Sequence, residues 1–250
     1  MNQSESRRFT FFIAVYCVAF TVILCALYFL YCAVCPPRTD AVMQMTDAAA
    51  AGKPQVILDA GHGGRDGGAV GVTGLIEKDL NLEIAVLLDD MLRAAGVTTR
   101  MTRSVDSLVC DETDPALHGR LKQTDLKNRV ALAEANPDAL FVSIHMNNFP
   151  VEKYRGLQVY YSPHAENSRT LAACIQENTA ALLQPDNTRK IKPAGSNIFL
   201  LNRIRTTAVL VECGFISNRA ESANLTDDGY RKQIALVLVA SVLQNLYKQP

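Results

Sequence analysis

Val56 to Glu77 reads VILDAGHGGRDGGAVGVTGLIE, and the reading of this stretch decides the fold. Val56-Ile57-Leu58 is a short apolar run, the pattern of a buried strand. It leads into Asp59-Ala60-Gly61-His62-Gly63-Gly64, with Gly67 and Gly68 close behind. Glycines at that density exclude a regular strand or helix and leave a loop. The loop carries one histidine, His62, at the carboxyl end of a strand, the edge where open α/β sheets bind ligands. Glu77 stands at the start of the next helical pattern. Neither phosphate-binding pattern fits: the third glycine of the dinucleotide motif is replaced by Asp66, and no Gly-Lys-Ser/Thr follows. Taken alone, His62 reads as a hydrogen-bonding turn residue. The case for a metal site comes from the rest of the chain.

Strands and helices alternate from here. Leu80, Ile84, Leu87, Leu88 and Met91 share a helical face, and Gly96 stops that helix. Val97 to Arg103 is a second predicted strand, and the polar stretch from Asp106 to Leu121 a surface loop. Leu126 to Ala135 is a helix with Leu126, Val130 and Ala133 inward. Ala139 to His145 is a third strand, apolar on both sides, and Gly156 to Tyr161 a fourth. Asn167 to Leu183 is a helix facing inward through Leu171, Ile175 and Thr179. Ile198 to Leu201 and Ala208 to Val211 are further strands, and Tyr230 to Tyr247 is a closing helix. The alternation predicts an α/β fold, a mainly parallel twisted sheet covered by helices on both faces.

Outward from this region, Phe9 to Val34 is 26 residues without a charge. That is long enough to cross a hydrocarbon core with some tilt. Bulky Tyr28, Phe29, Leu30 and Tyr31 at its exit end, with no Ala-x-Ala after them, favour an uncleaved anchor over a cleaved signal. Arg7 and Arg8 precede the span, so residues 1–8 are expected in the cytoplasm and the remainder outside it. The expected organisation is a transmembrane helix over 9–35, a linker over 36–53 and a catalytic domain over 54–250. The 25 basic and 25 acidic residues balance, which gives no electrostatic reason for a nucleic-acid partner. Cys32 and Cys35 have C-x-x-C spacing but no second pair, and Cys110, Cys174 and Cys213 make an odd count that argues against a disulfide framework.

Three predicted strands end in residues that chemistry can use: His62, His145 and Glu212. Parallel strands bring all three to one sheet edge, with Glu77 opening the helix beside them. Two imidazoles and one carboxylate form a common catalytic zinc set, and a second carboxylate is then free to act on water. Spacing does not say which of Glu77 and Glu212 does which. The alternative for Glu212 is a structural ion pair with Arg203 or Arg129. His118 reads as a solvated loop residue. His164, in an H-x-E spacing with Glu166 but with no Pro-Cys-x-x-Cys after it, reads as a turn cap.

VILDAGHGGRDGGAVG with LIEKDLNLEIA, LKNRVALAEAN, ALFVSIHMNN and AVLVECGFISNRAE, in that order, resemble the zinc-dependent N-acetylmuramoyl-L-alanine amidases of bacterial cell walls. GLQVYYSPHAEN and the helix after it look most like the sporulation and germination branch. The resemblance implies His62, Glu77 and His145 as zinc ligands and Glu212 as the catalytic carboxylate. It makes Asn147, Arg129 and Asn218 supports of the site. The chain departs from the family in having Thr206-Thr207 where a proline is usual, and in Cys213, taken as a packing residue. The implied reaction is hydrolysis of the amide between N-acetylmuramic acid and L-alanine in peptidoglycan, in cell-wall or spore-cortex remodelling. The stem peptide carries carboxylates, so a basic residue is expected in the groove, with Arg65, Lys190, Lys192, Arg203 and Arg205 as candidates. The alternatives are a zinc carboxypeptidase or endopeptidase on the stem, and a non-catalytic membrane-anchored glycan-binding protein. No motif identifies an activating protein partner.

Overall fold

The computed structural model describes residues 53–247. The anchor expected over 9–35 and nearly all of the linker lie outside the described residues. Among the described residues no helix is long and apolar enough to cross a membrane.

The apolar run at Val56 forms β1 (Val56–Ala60), buried at every position. Helix α1 (Glu77–Ala94) follows, with Glu77 and Asp79 in its first turn, where carboxylates complement the helix dipole. Its buried apolar stripe is Leu80, Ile84, Ala85, Leu88 and Leu92. The helix ends at Gly96, whose φ of 82° is left-handed, and Val97 N donates back to Leu92 O at 3.0 Å. The second strand is shorter than its sequence pattern, β2 (Thr99–Met101). After the long loop, which includes one 3₁₀ turn over Pro115–Leu117, come α2 (Leu121–Glu134), β3 (Leu140–Asn147) and β4 (Gln158–Tyr161). Then come α3 (Glu166–Leu182), β5 (Lys192–Pro193), β6 (Ala208–Phe215), α4 (Arg219–Thr226) and α5 (Asp228–Tyr247).

The six strands form one sheet in the order β2-β1-β3-β6-β4-β5. β2, β1, β3 and β6 are parallel; β4 runs antiparallel to β6, and β5 parallel to β4. The chain leaves β1 for β2 on one side and returns to β3 on the other. That reversal is a switch point between β1 and β3, the place where such sheets open a crevice. Alternation along the strands divides the core in two. Val56, Leu58, Val142, Ile144, Val209 and Val211 pack with α1, α3 and α5. Ile57, Phe141, Ala208 and Leu210 pack against α2 and the segment Leu200–Ile204. Helices therefore cover both faces: α1, α3 and α5 on one, joined by Leu225 of α4, and α2 on the other.

One sequence expectation is corrected, and one helix lies where no element was expected. Ile198 to Leu201 is a turn, not a strand: its apolar side chains fill the second core, and Ile204 N and Asn202 N fold back onto Leu200 O and Ile198 O. Helix α4, a short polar segment capped by Asn218, had no apolar period to reveal it.

Candidate metal centre

Gly61 follows β1 and donates to Ile144 O of β3 at 3.1 Å. A Cβ at Gly61 would lie 2.3 Å from His145 Nε2, so only glycine lets the two strand ends close on this histidine. His62 comes next with φ 62°, the one non-glycine residue of left-handed backbone among those described. That conformation is costly for a residue with a Cβ and persists where its surroundings impose it. The restraint is Arg129 of α2, whose Nη2 donates to His62 O at 2.7 Å and whose Nη1 donates to Ala60 O at 2.8 Å.

Arg129 is 1% exposed. Its Nη1 reaches Asp59 Oδ1 at 2.6 Å, and its Nε and Nη2 form a fork on Asp125 at 2.9 and 3.0 Å. Asp59 also accepts from Ser143 Oγ at 2.5 Å and Thr102 Oγ1 at 2.9 Å. Burial alone would raise the Asp59 carboxyl, but Arg129 and Ser143 outweigh it and hold the group below its ordinary range. The fully buried stripe of α2 is thus Asp125, Arg129 and Ala133, two of them charged.

Glu77 is buried at the first turn of α1. Its Oε2 accepts from Ala69 N at 2.9 Å and its Oε1 from Met146 N at 3.1 Å. Oε1 also lies 3.1 Å from His145 Nδ1 and 3.3 Å from His62 Nε2. Burial would raise this carboxyl too, but hydrogen bonds to His145 and His62 prevail and hold it far below the usual carboxylate range. A Cβ at Gly68 would approach Glu77 Oε2 to 2.6 Å.

His62, Glu77 and His145 each turn one ligand atom inward, and these atoms lie within 4.8 Å of one another. Zinc ligands about 2.0–2.1 Å from a tetrahedral ion stand about 3.3 Å apart. The 3.1 and 3.3 Å separations from Glu77 to the two imidazoles match that spacing. His62 Nδ1, on the far side of the ring, lies 3.0 Å from Asp66 Oδ2 without the alignment of a hydrogen bond. A carboxylate there suits a ligating imidazole, whose outer nitrogen is commonly oriented by one. The residues fit a zinc ion.

Glu212 lies within β6 rather than after it. Its register neighbours are His145 on β3 and Gln158 on β4. Its Oε2 is buried with no hydrogen-bond partner. Burial and the nearby Glu77 charge push its carboxyl up to about 7, against the pull of His145, His62 and Arg189. The structural ion pair considered for it is not formed: Arg129 is committed to Asp59 and Asp125, and Arg203 lies over the Phe199 ring. A carboxyl poised near neutrality and free of a fixed partner is suited to proton transfer.

The other residues singled out from sequence take lesser parts. Asn147 accepts from Ile216 N through its backbone, and Asn218 caps α4 by accepting from Glu221 N at 3.0 Å. His164 Nε2 meets Asn202 O at 3.0 Å, the turn role expected of it. Cys213 is fully buried, and burial raises its thiol. Of the basic candidates, Lys190 and Lys192 line a groove beside the site, whereas Arg65 is largely exposed near Glu112. The sequence reading passed over Arg189, whose charge acts on Glu212. Its contacts are Gln158 and Phe215, distant in sequence, and no local pattern marks it.

The family model for N-acetylmuramoyl-L-alanine amidase matches residues 56–244. The chain is 36% identical over 190 residues to the germination-specific N-acetylmuramoyl-L-alanine amidase of Bacillus subtilis, covering 76% of this chain and 78% of that protein. Among solved structures, it resembles the CwlD amidase of Clostridioides difficile, determined in complex with the GerS lipoprotein. The TM-score there is 0.72 at 36% identity, over 78% of this chain and 98% of the other. An N-acetylmuramoyl-L-alanine amidase of Nostoc punctiforme gives a TM-score of 0.66 at 30% identity, over 79% and 99% of the two chains.

Proposed function

This chain belongs to the N-acetylmuramoyl-L-alanine amidase family, and from that premise we propose that it is a zinc-dependent hydrolase of peptidoglycan, acting in germination or cell-wall remodelling. Its reaction is cleavage of the amide between the lactyl group of N-acetylmuramic acid and L-alanine. The observation that carries the zinc reading is the convergence of His62, Glu77 and His145 with an unpartnered Glu212 beside them.

In this reading His62, Glu77 and His145 hold the metal. When bound, zinc supplies Lewis acidity toward carbonyl and water oxygens. Glu212 Oε2 accepts the proton of the water that attacks the lactyl carbonyl. As the carbon–nitrogen bond breaks, Glu212 returns that proton to the departing L-alanine amine, leaving a free lactyl carboxylate. Glu77 keeps both imidazoles aimed inward, and Arg129 holds the backbone of His62 in place.

The proposal extends to location. Residues 9–35 anchor the protein in a membrane with the catalytic domain outside the cytoplasm, supported by Arg7-Arg8 ahead of an uncharged span.

The test is mass spectrometry of peptidoglycan fragments after digestion, with and without a chelator. Intact stem peptides with a free L-alanine amino terminus, lost on chelation, are expected. Cuts within the stem would replace this reading by a carboxypeptidase or endopeptidase, and no cuts by a glycan-binding protein.

A further inference from the structure

Arg103 lies just past β2 and is 5% exposed. Among the described residues no carboxylate oxygen stands within 4.0 Å of it. All of its hydrogen bonds go to backbone carbonyls. Nε donates to Ala60 O at 2.9 Å, Nη2 to Gly61 O at 3.0 Å and to Lys78 O at 2.7 Å, and Nη1 to Val105 O at 3.1 Å. Burial and the nearby Arg129 charge lower its pKa from the ordinary value, against the pull of Asp59, Asp106 and Asp125. A buried charge without a paired counter-ion is costly, and here carbonyl dipoles take the counter-ion's place.

Those carbonyls belong to the two elements that carry His62 and Glu77. Ala60 and Gly61 lead directly into His62, and Lys78 follows Glu77 in the first turn of α1. The same loop makes a second tie at Asp106. Its Oδ1 accepts from Gly64 N at 2.8 Å, and its Oδ2 from Lys78 Nζ at 2.6 Å. Lys78 Nζ also donates to Gly64 O at 2.9 Å. Gly61 and Gly64, on either side of His62, are thus each joined to Lys78, one through Arg103 and the other through Asp106. A Cβ at Gly63 would collide with Ser107 O, so glycine lets the two loops close. Arg129 holds Ala60 O and His62 O from the α2 side, but none of its hydrogen bonds reaches α1.

We propose that Arg103 is a positioning residue for the metal centre: with Asp106 it sets the spacing between the His62 loop and the first turn of α1, and so the gap between two of the three ligands. The inference rests on the zinc reading above. Metal–ligand distances tolerate only about 0.2 Å, so a spacing held by the protein adds directly to metal affinity. The planar fork of a guanidinium suits the task, because one rigid group reaches carbonyls on both elements at once; a lysine ammonium is a point charge on a flexible stem.

The test uses the full-length protein, stripped of metal and titrated with zinc against a chromophoric chelator, well below Tm. Arg103→Lys and Arg103→Met should each raise the zinc Kd roughly 10–100-fold, the usual effect of losing a group that orients a ligand. Asp106 has a half-exposed side chain, so its variants keep the test valid if those at Arg103 do not fold. Asp106→Ala should weaken zinc binding at least about tenfold. Asp106→Asn keeps an oxygen for Gly64 N and should stay within about fivefold of the parent, the span an exposed ion pair is worth. Val242→Ala, a deletion of buried methyl groups on α5, is the control for lost stability: Tm should fall and the zinc Kd should not move. Arg103 variants that behave like Val242→Ala, with lower Tm and the parent's Kd, would overturn the proposal, as would an Asp106→Ala variant that binds zinc as tightly as the parent. In either case a parent that binds zinc leaves the zinc reading standing. A parent that binds no zinc refutes that reading and this inference with it.

Discussion

Replacing Arg129 by methionine tests the buried charge cluster that holds the metal loop. Methionine keeps much of the volume and removes all five hydrogen bonds of the guanidinium. What remains is two buried carboxylates, Asp59 with only Ser143 and Thr102, and Asp125 with Val109 N. Breaking a buried ion pair by removing one partner costs about 3–5 kcal/mol, because the surviving charge stays buried. An exposed pair would be worth about 0–1 kcal/mol. For a domain of this size each kcal/mol moves Tm by about 2–4 °C, so the expected fall is about 6–20 °C. Melts should be recorded in chelator, since metal bound only to the folded state would mask part of the loss. Adding Asp59→Asn to Arg129→Met should recover part of the stability by removing one orphaned charge. A Tm within about 4 °C of the parent would refute the argument that this cluster is a desolvated network. So would a double variant less stable than Arg129→Met alone.

Four further outcomes follow from the same structure. Glu212→Gln should keep its zinc content and Tm while stem-peptide release falls roughly 10²–10⁴-fold; loss of zinc would make Glu212 a ligand, and normal turnover would end its catalytic role. His62→Ala and His145→Ala should each lose zinc and activity together, and near-normal zinc per chain in both would remove them as ligands. Asp59 is held below its ordinary value of 3.8, so the unfolded state takes its proton first as the solution is acidified. Its contribution is therefore present above pH ~4 and lost below it. Urea titrations between pH 5 and pH 2, taken as rough bounds, should show a smaller acid loss in Asp59→Asn; an unchanged slope would contradict this. A reporter fused after Lys248 should be active only outside the cytoplasm, and cytoplasmic activity would reverse the proposed topology.

The residues of the site were legible because three of them sit where short apolar runs meet the sheet edge. His62, His145 and Glu212 are placed by strands that alternation and burial reveal, and Glu77 by the helix that Leu80 and Ile84 announce. What was not legible depends on pairing between distant parts of the chain. β4 has four residues, and nothing in Gln158-Val159-Tyr160-Tyr161 states its direction. That direction follows from the path of residues 148–157. Ile198 to Leu201 misled because an apolar tetrad fills a core equally well as a strand or as a turn. Arg129 was assigned to the site by resemblance, but its partner Asp59 lies 70 residues away, and the pairing emerges only once α2 packs on β1. Arg189 is hidden for the same reason.

The two outermost strands are three and two residues long. Arg100 is exposed in the middle of one, and the other consists of Lys192 and Pro193, both exposed. A free sheet margin ordinarily invites another extended chain to add to it. Here each margin is too brief to template a partner, and it carries a charge or a residue without a backbone donor. Copies of the domain crowded together can therefore meet edge to edge without knitting into a shared sheet, even though the sheet interior is built from the Val, Ile and Leu runs that aggregate most readily when exposed.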